Sequence, residues 1–456
     1  MRKKFLLGCC PLLKSVRVVF LLLTAAIIGV GTGVWGAEKG FESPPTLKAG
    51  EVLPTALLQG KRYRVDETVS TDGFLMKFSI QSDFGTFIAR SPEMAETRIK
   101  EIDAIDRLEK VSKSDAFMAG LKASGREFGK QVGQLIDQPK ETIKGIPEGV
   151  GRFFDRVERG AKTGYQKLGD MKEQEKQTAP PPAGPGARLP GEPEPTGAKG
   201  GKMTVEEAAV RAVGKTTADA FGYDDQRRRI ARELGVDPYS TNPVLTQRLD
   251  DIASAAFAGG LGVSAFKAVV PAGMVISTTT TLSDWVWDMP PGDLKVQNER
   301  SLKAMGISQE QVDRLLRQPH FTLTLQTRLV KALERLKQTA GRPGIMPVAL
   351  TVQSFDQARF VVDGMEMLAG YNEKISPIKA LEKEVPFAGR TAAGTLVVAG
   401  PVDYLAWTEK MNRFAGRPDL KAKQRILWLR GEATPLARQE LTKLGWTVKE
   451  NAIKTK

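Results

Sequence analysis

Cysteine is almost absent from this 456-residue chain, because Cys9 and Cys10 are the only two. A mature chain cut after Gly36 would hold no thiol, which excludes disulfides, cysteine nucleophiles and cysteine-ligated metals. Histidine is scarcer still, with His320 as the single example. A zinc site or a serine-histidine triad would have no second imidazole to draw on, so we interpret His320 as structural.

Two further absences concern the compartment. The chain has no Asn-x-Ser/Thr glycosylation site and no acidic residue before Glu38. It opens instead with Arg2, Lys3 and Lys4, and residues 18–35 form an uncharged apolar run that ends before Gly36 and Ala37. A basic start, an apolar stretch and a small-residue exit are typical of a secretory signal. We therefore expect a signal peptide over 1–36 in a bacterial protein that is periplasmic or secreted.

The length of the apolar run keeps a second interpretation open. Eighteen residues approach the roughly 20 that span a bilayer, so 1–36 could also be an uncleaved anchor in the inner membrane. The basic residues precede the run, and the positive-inside rule then places the rest of the chain outside in either case.

The net charge of the chain limits which binding partners can be expected. Without the five basic residues of the leader, 62 Lys and Arg remain against 53 Asp and Glu, a net charge of +9. For an exported chain this excess suits an anionic membrane surface or another envelope component, and no nucleic acid is expected as partner. The same excess is also compatible with a role in solubility alone.

Composition and periodicity predict a mainly helical α+β fold. Residues 38–112 form a small module with a β-meander, with turns at 71–73 and 82–85 and a helix from Pro92 to Val111. Residues 179–202, rich in Pro and Gly, form a linker. Residues 203–456 form a larger, mainly helical domain that ends in a strand-helix-strand unit.

Residues 113–178 predict a Gly-rich amphipathic helical arm. Gly125, Gly129 and Gly133 recur at four-residue intervals beside an apolar stripe, and Lys and Arg alternate with acids. Glycines in register allow close helix approach, and such a basic amphipathic stretch can lie on a membrane surface. A loosely held helix or an arm without fixed structure is the alternative.

In the larger domain, helices are expected at 224–234, 242–257, 308–317 and 321–338. Residues 394–399 predict a strand that enters a helix at Pro401. The final unit is a strand at 425–429, a helix from Thr434-Pro435 to Gly445 and a strand at 446–448.

A long apolar stretch, 252–283, has Lys267 as its one charge. Trp285 and Trp287 follow this stretch, and aromatic residues commonly border membrane-spanning segments in the same way. However, Lys267 lies in the middle, Pro271 interrupts a helix, and the part before Lys267 is too short for a bilayer. The stretch therefore predicts buried core helices, with membrane insertion as the alternative.

Three motifs match the residue spacing of catalytic sequence motifs but lack the surrounding sequence features that those motifs need. Residues 209–216 match a loose phosphate-binding loop, but a helix-forming segment precedes them instead of a strand. Ser264-x-x-Lys267 and Ser376-x-x-Lys379 have the spacing of serine-lysine hydrolases, but the single Lys-Thr-Gly, at Lys162, precedes both.

The sequence predicts no catalytic, cofactor-binding or metal-binding residues, and no cofactor. The leading hypothesis is a non-enzymatic envelope protein that binds a membrane surface or another envelope component. Two alternatives stay open. One is a hydrolase of envelope polymer that uses Ser264 or a pair of carboxylates, whose members need not be close in sequence. The other is a two-domain periplasmic scaffold.

Overall fold

The computed structural model describes residues 40–115, 222–259, 284–383, 385 and 387–452. The leader, nearly all of the Gly-rich arm, the Pro/Gly linker and residues 209–216 lie outside these ranges. Within the described residues the fold is α+β and mainly helical, as predicted. None of the helices described there is both long enough and apolar enough to cross a membrane.

An antiparallel sheet begins the described fold. Its strands are β1 (Thr46–Lys48), β2 (Tyr63–Val65), β3 (Thr68–Thr71), β4 (Met76–Ser82) and β5 (Gly85–Arg90), and β4 pairs with β2, β3 and β5. Along β4 the buried positions alternate with more exposed ones, so one face is turned to the core. A short helix, α1 (Ala49–Val52), follows β1.

Three helices share a core with this sheet. They are α2 (Pro92–Ser112), α3 (222–234) and α4 (Pro243–Gly259). Ile99, Ile102 and Ile105 recur at helical intervals on α2 and are at most 2% exposed. Ile252 at the start of the apolar stretch is also buried, on α4, which agrees with the core interpretation for that part; residues 260–283 lie outside the described ranges.

A second group of helices follows: α5 (Asp284–Asp288), α6 (Pro291–Ala304), α7 (Gln309–Leu316), α8 (Leu323–Arg335), α9 (Met346–Ala349) and α10 (Phe355–Lys374). Thr322 caps α8 and Ser354 caps α10, because each hydroxyl accepts a hydrogen bond from the backbone N–H three residues on. Helix α10 contacts α8 and also the second sheet described below, so most of its residues are buried.

The second sheet has the order β12-β10-β8-β7-β6. Its strands are β6 (Ile378–Leu381), β7 (Ala388–Thr391), β8 (Leu396–Gly400), β10 (Arg425–Leu429) and β12 (Trp446–Lys449), and the last three are parallel. All five residues of β8 are buried, as expected for a strand covered on both faces. Helix α12 (Pro435–Lys443) connects β10 to β12 and completes the predicted strand-helix-strand unit.

The prediction that a helix begins at Pro401 is wrong. The chain instead forms β9 (Tyr404–Leu405), which pairs in parallel with β11 (Glu432–Ala433), and a helix, α11 (Glu409–Ala415), begins only after that. Asp403 explains the difference, because its backbone N–H bonds to the carbonyl of Phe74, at the loop before β4. The tertiary contact therefore overrides the local signal that proline gives for a helix start.

Candidate functional site

A polar cavity of about 600 Å³ lies among the residues that the structure describes. Its walls come from α2, the segment 235–241, α8, α10 and the end of β10. We call it the arginine cavity, because Arg328 on α8, Arg359 on α10 and Arg430 after β10 meet there. Each of these three side chains is only 11–14% exposed.

Asp363 lies at the centre of the three arginines. One of its oxygens accepts a 2.9 Å hydrogen bond from Arg328, and the other accepts one of 3.0 Å from Arg430. Arg359 precedes Asp363 by one helical turn and approaches the second oxygen to 3.6 Å. Burial alone would raise the pKa of Asp363, but the three guanidinium groups lower it to about 2.

Arg328 is held by a second acid. Its Nε and one terminal nitrogen donate to the two oxygens of Glu366, at 2.9 and 2.6 Å. This bidentate pairing fixes the plane of the guanidinium, because two arginine N–H donors match the two carboxylate oxygens in only one orientation. The side chain is therefore positioned before any ligand arrives.

Arg359 fixes the start of α2. It donates to the carbonyl of Arg90 at 3.0 Å and to the hydroxyl of Ser91 at 2.8 Å. The same hydroxyl caps α2 by accepting from the N–H of Met94. Ser91 has a φ of 103°, a region that residues other than glycine rarely occupy, so surrounding contacts must hold it there.

Glu93 extends the network into the cavity. Its oxygens lie 3.5 Å from Nε of Arg430 and 3.7 Å from a terminal nitrogen of Arg359, beyond ideal hydrogen-bond distance. Burial raises the pKa of Glu93, but the attraction of Arg430 and Arg359 outweighs it and the pKa is lowered. Its oxygen Oε2 and Nε of Arg430 are both buried without a hydrogen-bond partner.

A second group of polar residues lines the same cavity. Arg98 donates to Glu101 at 2.5 Å and to Thr241 at 2.8 Å. Asp237 accepts from the hydroxyl of Thr324 at 2.7 Å, and burial raises its pKa. The buried hydroxyl of Tyr239 has no hydrogen-bond partner.

The lining has more cationic than acidic residues. Its seven cations are Arg98, Lys100, Arg328, Arg335, Arg359, Lys374 and Arg430, and its five acids are Glu93, Glu101, Asp237, Asp363 and Glu366. Glu373 and Asp403, which do not line the cavity, accept hydrogen bonds from Arg335 and Arg430, so the acids around the recess match the cations in number. Among the residues that the structure describes, no group of histidine, cysteine and acidic side chains could hold a metal ion.

The residues that the sequence singled out lie elsewhere. Ser376 precedes β6 and Lys379 is within it, so the two are not on one face of a helix, as a serine-lysine pair requires. His320 is half-buried in the turn between α7 and α8. Ser264 and Lys267 lie outside the described residues.

No arginine was singled out from the sequence, and this is what sequence reasoning missed. Arg328, Arg359 and Arg430 come from three distant segments. One signal was present: Arg359 and Asp363 stand one helical turn apart, and the three residues between them, 360–362, are all apolar. Charges inside an apolar helix are costly unless paired, so this spacing could have marked α10 as part of a buried polar network.

Comparison with known proteins gives no relative. A scan against protein-family models found no match, and searches of curated proteins and of solved structures found none either. The geometry of the arginine cavity is therefore the basis for a proposal about function.

Proposed function

We propose that this is an exported bacterial envelope protein that binds a small anionic molecule in the arginine cavity without transforming it. The observation that carries the proposal is the set of three nearly buried arginines whose orientation is fixed by Asp363 and Glu366. Guanidinium groups held in place by carboxylates lose little entropy when an anion binds, and this supports affinity.

The size of the cavity supports a small molecule. Ligand sites commonly enclose about 300–1,000 Å³ and combine apolar walls with a few positioned polar groups. The arginine cavity, at about 600 Å³, has Trp287, Phe355 and Trp428 among its lining residues beside the charged ones. A monosaccharide or disaccharide with a carboxylate or phosphate group has the corresponding size and charge.

The protonation states of the acids beside the three arginines favour binding over hydrolysis. A glycosidase needs one carboxyl group with a raised pKa that can donate a proton to the substrate. The pKa values of Glu93 and Asp363 are both lowered, so these acids stay ionised and hold arginines in position, whereas burial raises the pKa of Asp237, whose carboxyl group accepts from Thr324 and from the N–H of Tyr239. A hydrolase that uses Ser264 stays a prediction, because that residue is outside the described ranges.

Affinity for related ligands tests the proposal. We would titrate the exported protein with glucuronate, with glucose and with inorganic phosphate by calorimetry. Glucuronate and glucose share one ring and differ in a carboxylate, so the proposal expects glucuronate to bind at least tenfold more tightly. Equal affinity for the two sugars, or no heat from glucuronate and phosphate, would contradict it.

A conservative variant makes the test specific. Arg328→Lys keeps the charge but loses the bidentate geometry, and we expect about a tenfold loss in affinity for glucuronate. Arg314→Lys is the matched control, because Arg314 is 59% exposed on α7 and does not line the cavity. Equal affinity in the two variants would remove Arg328 from the site.

Location and membrane contact have tests of their own. Finding the native protein in the cytosol with its leader intact would contradict export. The predicted arm at 113–178 motivates contact with an anionic membrane surface, and failure to co-sediment with anionic liposomes at low salt would exclude it. The scaffold hypothesis predicts that the two separately expressed halves each retain an envelope protein.

A further inference from the structure

Asp237 differs from the other acids that line the arginine cavity. Four of the five lining acids form ion pairs with arginines, and these four are Glu93, Glu101, Asp363 and Glu366. Asp237 forms no ion pair with any residue that the structure describes. The cavity therefore contains one carboxyl group whose charge is not neutralised by a described side chain.

One oxygen of Asp237 is fixed and the other is available. Oδ1 accepts a hydrogen bond from the hydroxyl of Thr324 at 2.7 Å and one from the backbone N–H of Tyr239 at 2.8 Å. Oδ2 receives no hydrogen bond from the described residues, and it is not among the polar atoms that are buried without a partner. Since Asp237 lines the arginine cavity, Oδ2 is open to that cavity.

A carboxyl group in this position is costly to keep ionised. Burial raises the pKa of Asp237, and the nearby charge of Glu101 adds to this effect. The two hydrogen bonds at Oδ1 and the charge of Arg328 lower the pKa again, but by less. Buried charges in proteins are normally paired, so a cationic group of a ligand would supply the missing counter-charge. An organic cation suits this place better than a metal ion, because among the described residues no metal-binding group includes Asp237.

Thr324 sets the distance between this carboxyl group and the arginines. Thr324 and Arg328 are four residues apart on α8, so they lie on one face of the helix, roughly 6 Å apart along its axis. Asp237 is bonded to Thr324 at one end of this span, and Arg328 is at the other end. An acid that lacks a cation and an arginine held in place therefore line the same recess about one helical turn apart.

We propose that the arginine cavity takes a zwitterionic ligand, whose ammonium group binds Oδ2 of Asp237 while its anionic group lies at the three arginines. This inference rests on the proposed function, because the arginines supply the anionic half of the site, and it narrows the ligand class to anions that carry an amine. A ligand with both charges also agrees with a recess in which acids and cations match in number. An amino sugar phosphate carries both groups on one small molecule.

Two pairs of sugars test the inference on the exported protein. Glucosamine 6-phosphate and glucose 6-phosphate differ only in an amine in place of one hydroxyl, and a primary amine is mostly protonated at pH 7. We expect calorimetry to give about tenfold higher affinity for glucosamine 6-phosphate, because a charge-assisted hydrogen bond is roughly twice as strong as a neutral one. Glucosamine and glucose, which lack the phosphate, should show the same order of affinity.

The outcomes separate this inference from the proposed function. Glucose 6-phosphate that binds as tightly as glucosamine 6-phosphate would overturn the ammonium site and leave the anion site standing. Affinity that the phosphate does not improve on either sugar would contradict the proposed function and, with it, a zwitterionic ligand. No binding of any of the four sugars would overturn both.

A variant locates the ammonium group. Asp237→Asn keeps an oxygen that can accept from Thr324 and Tyr239 but removes the charge. We expect about a tenfold loss in affinity for glucosamine 6-phosphate and less than about a threefold change for glucose 6-phosphate. Asp313→Asn is the matched control, because Asp313 is 39% exposed on α7 and does not line the cavity.

The comparison of the two phosphates makes this variant decisive. An equal loss for both phosphates in Asp237→Asn, or a loss no larger than in the control, would overturn the assignment of the ammonium group to Asp237. A thermal melt shows whether the variant folds, and the four sugars on the natural protein decide the proposal if it does not.

Discussion

Arg430 donates a 2.7 Å hydrogen bond to Asp403, and yet Asp403 keeps a raised pKa of about 6. Burial dominates, because Asp403 is 6% exposed and the nearby charge of Glu93 adds to the effect. The other oxygen of Asp403 accepts from the N–H of Met76 on β4. The carboxyl group of Asp403 therefore links the first sheet to the arginine network, and its contribution to the free energy of unfolding depends on pH.

The pH dependence of stability follows from this shift. The folded pKa of about 6 lies above the ordinary 3.8, so the folded state binds the proton more tightly than the unfolded state does. The stabilisation from Asp403 is complete below about pH 4 and is lost as the pH rises through 6, on the order of 2–3 kcal/mol. Asp403→Asn cannot ionise and should lack this component.

Urea unfolding at several pH values between 4 and 7 measures the effect. The difference in the free energy of unfolding between the natural protein and Asp403→Asn, followed over pH, isolates the contribution of Asp403 from that of other groups. Asp313→Asn removes one carboxylate from a partly exposed position on α7 and is the matched control. Parallel profiles for the natural protein and Asp403→Asn would show that the pKa of Asp403 is not raised.

Asp363 should behave in the opposite way. Its pKa of about 2 lies below the ordinary 3.8, so its stabilisation is present above pH 4 and is lost as the pH falls through 2. At neutral pH, Asp363→Asn leaves three arginines short of a buried counter-charge, and we expect a loss of about 3–5 kcal/mol in the free energy of unfolding.

Chemical denaturation checks the prediction for Asp363. Glu310→Gln is the control, because Glu310 is 70% exposed, and it should change stability by less than about 0.5 kcal/mol. A change at Asp363 as small as that of the control would mean that the arginines do not depend on this carboxylate.

Ser91 offers a test of the backbone conformation that Arg359 holds. Replacement by Ala or Gly removes the hydroxyl that caps α2 and receives Arg359, but only Gly tolerates a φ of 103°. We therefore expect Ser91→Ala to destabilise by more than Ser91→Gly does, by about 1–3 kcal/mol. Thermal or urea unfolding of the two variants measures the gap.

An ordinary helix cap provides the comparison. Ser308 caps α7 at a φ of −65°, where Ala and Gly are both allowed. The gap between Ser308→Ala and Ser308→Gly should be under about 1 kcal/mol. Equal gaps at Ser91 and Ser308 would argue that the strained backbone at Ser91 has no energetic consequence.

The sequence was sufficient where a signal was local. The strand at 425–429 is found at those residues, and the helix that begins at Pro92 ends one residue beyond the predicted Val111. The helix α10 was not predicted, because polar residues such as Gln357 and Arg359 are among its buried positions, so the apolar residues of 355–374 lack the one-sided period of a surface helix. Burial between α8 and β8 explains this composition only after the fold is known.

The arginine cavity was beyond prediction for a different reason. Arg328, Arg359 and Arg430 are brought together by the packing of α8 on α10 and of α10 on the second sheet. In the sequence each looks like a solvated surface charge, because the acid that pairs with it is mostly far along the chain. Arg430 and Asp363, for example, are 67 residues apart.

Two glycines with opposite surroundings give the last prediction. A Cβ at Gly431 would lie 1.9 Å from the backbone oxygen of Asp403, and backbone cannot move aside as a flexible side chain can. Gly431→Ala should therefore force β9 and β11 apart and cost about 3 kcal/mol. A Cβ at Gly292, in the first turn of α6, meets nothing within 4 Å. Gly292→Ala should raise the free energy of unfolding by up to about 1 kcal/mol, because alanine favours the helix. Urea unfolding of both variants decides the matter: a Gly431→Ala protein as stable as the natural one would mean that β9 and β11 do not approach as closely as described.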